Sequence, residues 1–591
     1  MLKPGRVVFG WRAILFPLSI VAMLLALSAC SGSDSSSASP GSSGTTADGS
    51  TSTTSPGSSL DTTTPASGSP STSGTAEERY SPDDWPLFGR DRDNSRYAPQ
   101  TQVNAQNVSR LGEAWKSDLG GNQYLNESFP IVVDGTAYVT TSTDEVYAFD
   151  GATGRVKWTY APRVNFALSS GVGGYGITVN RGVAVSHGKV YLLTFDCRLK
   201  AISAATGEEV FSTQVDDPSQ GAYETMSPTV YDGKVYVGNS GSDQGVAGFL
   251  KAYDANSGRL VWQFDTIPRV GQSWRKRGTG GGTVYMAPTV DTETGNVLIG
   301  TSNPSPAITG VKRPGSNLYT SSIVALNADS GKVAWYHQEV PHDLWDYDAA
   351  SPVALFNTTI DGRRTRVAAE AGKSGYFFML DANTGRDVFP RLAFVRENHT
   401  PPTKQGTLEC PGPLGGSQYD PIAYNPRVNA AFVSGIDFCF VLRVTDEKLP
   451  GESRFGGLRS FPQDADPTGS FSAVNMSTGR FLWRLRMPSP MGAGATTTAS
   501  NLVFTIDQRG TFYAIDARTG RQLWTANLGL AGASAPVVYT IRGTEYIGMA
   551  IGGSGLTSSD NFGPIGSEFI VLKLGGDRIV PARGQRVKKG G

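Results

Sequence analysis

One short pattern recurs along most of this chain: a hydrophobic run, usually an Asp or Asn, a Thr-Gly or Ser-Gly turn and, four residues after the Gly, an aromatic. It reads VYAFDGATGRVKW at Val146–Trp158 and LKAISAATGEEVF ending at Phe211. It returns with LKAYDANSGRLVW at Trp262, IVALNADSGKVAW at Trp335, FMLDANTGRDVF at Phe389, FSAVNMSTGRFLW at Trp483 and FYAIDARTGRQLW at Trp524. A strand, a tight turn whose Gly supplies left-handed backbone and a second strand closed by an aromatic make one hairpin. Repetition at intervals of roughly 40 to 90 residues makes each hairpin one unit of a radial array. The expected fold is all-β, a β-propeller.

The ends of the ordered region complement each other. Trp115 closes a strand that has no upstream hairpin partner, whereas Glu568–Leu574 reads as a strand with no aromatic-ended strand after it. Pairing them in one blade closes the ring and removes its exposed edges. Seven internal units and one shared blade predict an eight-bladed β-propeller over residues 80–576. No stretch offers a long amphipathic helix.

Outside that region the chain is simpler. Arg6 and Arg12 precede an apolar run, Ile14–Leu27, which reads as a secretory signal over residues 1–29. Leu27-Ser28-Ala29-Cys30 resembles the bacterial lipobox, so Cys30 is the expected lipidation site, anchoring an exported protein to the outer face of the cell membrane by lipid alone. Residues 30–79, dominated by Ser, Thr, Gly, Pro and Ala, cannot bury enough apolar surface to offset their ordering entropy and read as a disordered stalk. Residues 577–591 read as a basic flexible tail. Formal net charge is zero with 18% charged residues, which leaves no electrostatic footprint for nucleic acid. No C-x-x-C-H string occurs, so no haem attached to this chain is expected. Cys197 reads as a lone buried thiol, while Cys410 and Cys439 bracket a short segment and could pair.

From Asp84 to about Leu574 the chain resembles the quinoprotein alcohol dehydrogenases, eight-bladed propellers that use pyrroloquinoline quinone (PQQ) and Ca²⁺. The repeat matches that family's tryptophan-docking motif. Further matching strings are Asn180-Arg181-Gly182-Val183-Ala184, Gly238-Asn239-Ser240-Gly241, Gly280-Gly281-Gly282-Thr283, Gly300-Thr301-Ser302-Asn303-Pro304, Asn317-Leu318-Tyr319-Thr320-Ser321-Ser322 and Pro341-His342-Asp343-Leu344-Trp345-Asp346-Tyr347-Asp348. The setting of Cys410 in Cys410-Pro411-Gly412-Pro413-Leu414 is similar to that of a family disulfide, which implies the Cys410–Cys439 pair.

PQQ is a flat tricarboxylate o-quinone, so its site needs cations, polar donors and apolar faces. The resemblance implies that Arg181 pairs with a cofactor carboxylate, a task suited to a guanidinium fork. It puts Glu127, Thr225, Ser240, Gly241, Ser242 and Thr283 at polar contact positions. Lys373, in Ala371-Gly372-Lys373-Ser374-Gly375, falls on the cation that stabilises negative charge developing on the quinone oxygens. The implied Ca²⁺ ligands are Asp243, in place of the family Glu, and Asn303.

Several positions depart from the family pattern. Ser316 stands where the family keeps its catalytic Asp, and a neutral hydroxyl is a poor base. Tyr175-Gly176 replaces the adjacent-cysteine disulfide over one cofactor face, Tyr285 replaces the Trp of the other face, and Gln418 and Tyr419 stand where Asn and Trp are usual. His342, Asp343, Asp346 and Asp348 read as packing residues. Two functions follow. One is a lipid-anchored PQQ-dependent dehydrogenase acting on a small alcohol-like substrate, with a separate electron acceptor and an unnamed base. The other is a non-catalytic propeller that binds a protein partner as a scaffold at the cell surface.

Overall fold

The computed structural model describes residues 78–120, 126–166, 178–268, 279–445, 455–462, 467–553, 566–579 and the backbone of 588–589. All of them belong to one compact unit. The leader with Cys30 and the stalk lie outside the described residues.

Each repeat is one blade, an antiparallel four-stranded meander. The first seven blades span residues 131–160, 184–214, 229–265, 289–338, 354–393, 423–487 and 496–527. The eighth is composite: Val537–Ile541, Thr544–Gly552 and Ser567–Leu574 are completed by the N-terminal strand Leu111–Asp118, with Trp115 opposite Val571. The predicted eight blades and their closure by the two chain ends are both present. Within a blade the leading strands are buried and the last strand faces solvent, as in Val156–Tyr160 and Leu260–Asp265. Two residues of the basic tail, Lys588–Lys589, pair with the outer strand of the sixth blade.

The turn chemistry explains the repeated Asp-x-x-Thr-Gly. Asp150 Oδ1 accepts hydrogen bonds from the backbone N–H of Ala152 and Thr153 and from the Thr153 hydroxyl. Asp254 with Ser257, Asn327 with Ser330, Asp381 with Thr384 and Asp516 with Thr519 repeat it. These are side-chain-capped turns, and the Gly that follows takes a left-handed φ, 74° at Gly154.

The Gly has a second duty that the sequence reading did not include. The aromatic ending each blade lies flat on the turn Gly of the next: Trp115 on Gly154, Trp158 on Gly207, Phe211 on Gly258, Trp262 on Gly331, Trp335 on Gly385, Phe389 on Gly479 and Trp483 on Gly520. Where the ring is Trp, its Nε1–H also donates to a backbone carbonyl of the neighbouring blade, as from Trp262 to Ala328 at 3.0 Å and from Trp335 to Ala382 at 2.9 Å. Trp524 faces the composite blade, which lacks such a turn, and packs half-buried on the core at the ring's seam.

A Cβ added at Gly331 would fall 2.6 Å from the Trp262 ring, at a residue with φ 66°. Gly331→Ala is therefore expected to destabilise the ring by about 2–4 kcal/mol, combining left-handed strain with overpacking. The measurement is the urea midpoint, with Gly362→Ala, where φ is also positive but nothing lies near the added Cβ, separating the two contributions.

Candidate functional site

In an antiparallel meander the connection entering the first strand and the one joining strands two and three emerge at the same end. The side chains singled out from sequence sit on those connections. Glu127, Arg181, Thr225, Thr283, Tyr285, Gln418 and Tyr419 precede the first strands of their blades, whereas Ser240–Asp243, Asn303 and Lys373 follow second strands. Ring closure therefore brings them to one face.

Local chemistry aims each of them. Asn180 donates to Asp144 Oδ1 and the Leu193 carbonyl and accepts from Gly182 N–H, clamping the loop that presents Arg181. Gly182 is required there: its φ is 117° and an added Cβ would meet the Phe129 carbonyl at 2.8 Å. Lys373 sits in a tight turn closed by Gly375 N–H to the Gly372 carbonyl, and Gly416 packs its backbone on the Lys373 carbonyl.

Arg181 is buried. Its Nη2 is 2.6 Å from Glu127 Oε2, and Nη1 donates to Thr225 Oγ1 at 2.6 Å and to the Tyr285 carbonyl at 3.4 Å. The guanidinium lies 5.1 Å from the Tyr285 ring centroid and 4.9 Å from that of Tyr419. Thr225 continues to Ser240 Oγ at 2.9 Å. Tyr285 donates its hydroxyl to Asp348 Oδ2 at 2.7 Å, and Lys373 Nζ bridges Asp348 Oδ2 at 3.0 Å and Asp346 Oδ2 at 3.1 Å. Asn303 N–H donates to Asp348 Oδ1 at 2.6 Å, and Asn303 Oδ1 accepts weakly from Ser242 Oγ at 3.4 Å. Thr283 is held by Ser302 through its N–H at 2.8 Å and its hydroxyl at 2.9 Å. Gly241 has φ 110° and starts the short turn that carries Asp243.

Charge in this site is finely set. Burial alone would lower the Lys373 pKa, but Asp346 and Asp348 outweigh it and raise it, so the ammonium persists. Burial lifts the Asp243 carboxyl above the ordinary carboxylate range, with Lys373 pulling the other way. Burial likewise raises Glu127 against the opposing field of Arg181.

Asp346 and Asp348 correct the sequence reading, which took them as packing residues. Both reach Lys373 because the turn before the fifth blade is built for it: Asp343 accepts from the N–H of Trp345 and Tyr347, and Asp346 adopts a left-handed φ of 70°. Asp343 itself is structural, as expected, and the His342 ring places Nδ1 2.7 Å from the Gly315 carbonyl. Two carboxylates at alternate positions, Asp346 and Asp348, were the available signal.

Ser316 is not brought into this set. It is exposed, and its carbonyl accepts from His342 N–H and Gln338 Nε2. The preceding Arg313 is buried and holds the loop through the carbonyls of Pro306 and Ala307 and through Asn317 Oδ1. Tyr175 and Gly176 lie outside the described residues. The Cys410–Cys439 disulfide is formed, joining the two long excursions before and within the sixth blade, and Cys197 is a buried free thiol.

Near that disulfide, buried Glu409 accepts from Tyr347 Oη at 2.8 Å and Thr400 N–H at 2.8 Å. Burial pushes its pKa up to about 8 despite those donors. A carboxyl raised on folding stabilises the fold below its unfolded pKa and loses that contribution as pH rises through the folded one. The melting temperature is therefore expected to fall between about pH 5 and 8, and Glu409→Gln should lessen that slope.

Arg181 Nε and Gln418 Oε1 are buried with no partner among the described residues, and Arg181 stands beside two aromatic rings. Unspent cationic and polar groups beside flat faces suit a planar polyacid. Asp243 Oδ1 is likewise buried without a partner. Asp243, Asp346 and Asp348 act on one another and on Lys373, with Arg459 adding a weaker opposing charge, an excess of negative charge that a divalent cation would offset. Among the described residues no three acidic, His or Cys side chains form a metal cluster by themselves; Asp243 and Asn303 offer two hard oxygens only.

The model of the glucose/ethanol/alcohol dehydrogenase β-propeller domain, a PQQ domain, matches residues 85–393. The chain belongs to the PQQ-dependent alcohol dehydrogenase family. It is 34% identical over 524 residues to a quinohemoprotein alcohol dehydrogenase of Comamonas testosteroni, covering 80% of this chain and 73% of that protein. Alcohol dehydrogenase ADH IIB of Pseudomonas putida is 31% identical over 547 residues, 84% of this chain and 78% of the relative. The solved structure of quinohemoprotein ADHIIG from Pseudomonas putida HK5 superposes with a TM-score of 0.78 at 29% identity, over 85% of this chain and 82% of that one. A second model, described as outer membrane protein assembly factor BamB, matches residues 467–545 of the sixth to eighth blades.

Proposed function

We propose that this protein is an exported, lipid-anchored PQQ-dependent dehydrogenase that oxidises an alcohol or similar small molecule by hydride transfer and hands the electrons to a separate acceptor. The observation that carries it is the continuous contact path Glu127–Arg181–Tyr285–Asp348–Lys373, with Asn303 joined to Asp348 and Asp243 beside Lys373. The two cations that the family chemistry requires thus converge from the second and fifth blades.

When bound, PQQ supplies a two-electron acceptor. Arg181 would hold one of its carboxylates and Tyr285 would present a flat face to the ring. Lys373 would offer hydrogen bonds from its ammonium to oxygen gaining negative charge, and because Asp346 and Asp348 already fix it, little reorganisation would be needed as that charge develops. Asp243 and Asn303 would hold Ca²⁺. Cys30 and the stalk would place the propeller outside the membrane, where a separate acceptor would take up the electrons.

The test is equilibrium titration of the purified stalk-plus-propeller protein with PQQ and Ca²⁺, followed by cofactor absorbance, then dye-linked alcohol oxidation by the loaded protein. Saturable binding and turnover are expected. Absence of binding would overturn the dehydrogenase reading and leave a propeller scaffold.

A further inference from the structure

The proposed reaction needs an acceptor for the substrate's hydroxyl proton, and Ser316, exposed and neutral, cannot serve. We infer that Asp346 is the general base of this site, a reading that rests on the PQQ-dependent function proposed above.

Geometry singles it out among the acids near Lys373. Both oxygens of Asp348 are occupied: Oδ1 accepts from Asn303 N–H, and Oδ2 accepts from Tyr285 Oη and Lys373 Nζ. Asp243 is the candidate Ca²⁺ ligand. Asp346 uses only Oδ2, toward Lys373, and among the described residues Oδ1 has no donor. About 6% of the residue still reaches solvent. The carboxylate is therefore fixed by one oxygen and free at the other.

The backbone points the same way. Asp346 is a non-Gly residue at φ 70°, held there by the two hydrogen bonds that Asp343 accepts from either side of it. A left-handed residue over-determined by its neighbours is how a site stores a fixed side-chain direction. The charged groups around it are Lys373 from the turn after the fifth blade's second strand, Asp348 on its own loop, Asp243 from the third blade and Arg459 from the excursion of the sixth.

The step balances. The alcohol O–H bond breaks and its proton passes to Asp346 Oδ1. The carbinol C–H bond breaks with its electron pair, and hydride goes to the o-quinone. The alcohol is oxidised to a carbonyl compound, the quinone is reduced by two electrons, and Asp346 is left as the neutral acid. Lys373 stays protonated throughout.

The experiment uses the protein loaded with PQQ and Ca²⁺. Asp346→Asn is expected to bind PQQ, read by absorbance, within about threefold of the native protein, while kcat falls by about 10²–10⁴. The acidic limb of the kcat–pH profile should vanish with it. In Asp346→Ala, added formate should restore part of the rate, a gain that a merely structural residue would not show. Ser316→Asp should not rescue Asp346→Asn. An Asp346→Asn protein that binds PQQ and turns over at the native rate, or one whose lost rate returns on placing Asp at 316, would overturn Asp346 as the base and leave the dehydrogenase intact. A native protein that binds no PQQ would overturn both.

Discussion

Arg181→Ala is expected to abolish PQQ binding at concentrations that saturate the native protein and to lower the stability of the fold itself. The two effects share one cause. The native guanidinium neutralises buried Glu127 at 2.6 Å and ties Thr225 to the Tyr285 backbone. Removing one partner of a buried pair leaves the other uncompensated, which typically costs 3–5 kcal/mol, part of it relieved when the stranded carboxyl takes up a proton. Arg181→Lys separates the roles. It keeps a charge for Glu127 but lacks a planar fork for a carboxylate and a flat face for Tyr285 and Tyr419. Stability should largely return in Arg181→Lys while PQQ affinity stays at least tenfold weaker. The measurements are PQQ titration by absorbance and urea unfolding of the three proteins. Native-like affinity in Arg181→Ala would remove Arg181 from the cofactor site.

Lys373→Met is expected to lower kcat by about 10²–10³, the usual loss when one preorganised donor to a developing negative charge is removed. Met keeps most of the volume of a side chain only 3% exposed, so a packing loss alone should be small. The electrostatic consequence is larger. Asp346 and Asp348 would face each other without their shared cation, and one of them would have to take up a proton. Tyr285 keeps its hydrogen bond to Asp348 only in part, so the aromatic face loses its anchor as well. Steady-state kinetics on protein saturated with PQQ separates this from weakened cofactor binding. An unchanged kcat would place the charge-stabilising group elsewhere.

The fold was legible because its determinants are local and repeated. Asp150, Asp254, Asp381 and Asp516 each cap a turn with their own neighbours, so each blade's hairpin is written in a dozen consecutive residues. The closing strand was legible for a different reason. An aromatic-ended strand at Trp115 and an unpaired strand at Glu568–Leu574 are each unsatisfied alone, and pairing them removes both deficits. What the turn Gly does for the neighbouring blade was not legible, because the ring that lies on Gly331 comes from Trp262, outside the hairpin that contains the Gly.

The site divides along the same line. Arg181, Lys373, Asn303 and Thr283 were found because each stands in a recognisable string. Asp346 and Asp348 were misread as packing because their string explains their backbone without showing where their carboxylates go. That direction depends on φ at Asp346 and on a lysine from another strand pair of the same blade. Ser316 shows the reverse: its string suggested a catalytic position, and its exposure leaves the hydroxyl outside the network.

By itself, then, the sequence determined an all-β ring of eight hairpin blades, its closure by the two chain ends, and which loops carry cations and acids. Those follow from turn chemistry, strand alternation and unsatisfied edges, all of which act over short stretches of chain. Only the tertiary structure decided which acids meet Lys373, that Glu127 neutralises Arg181, and that Asp346 meets Lys373 through one oxygen while both oxygens of Asp348 are occupied. Those depend on distances of about 3 Å between groups set on different strands and blades, and such distances exist only once the ring has closed.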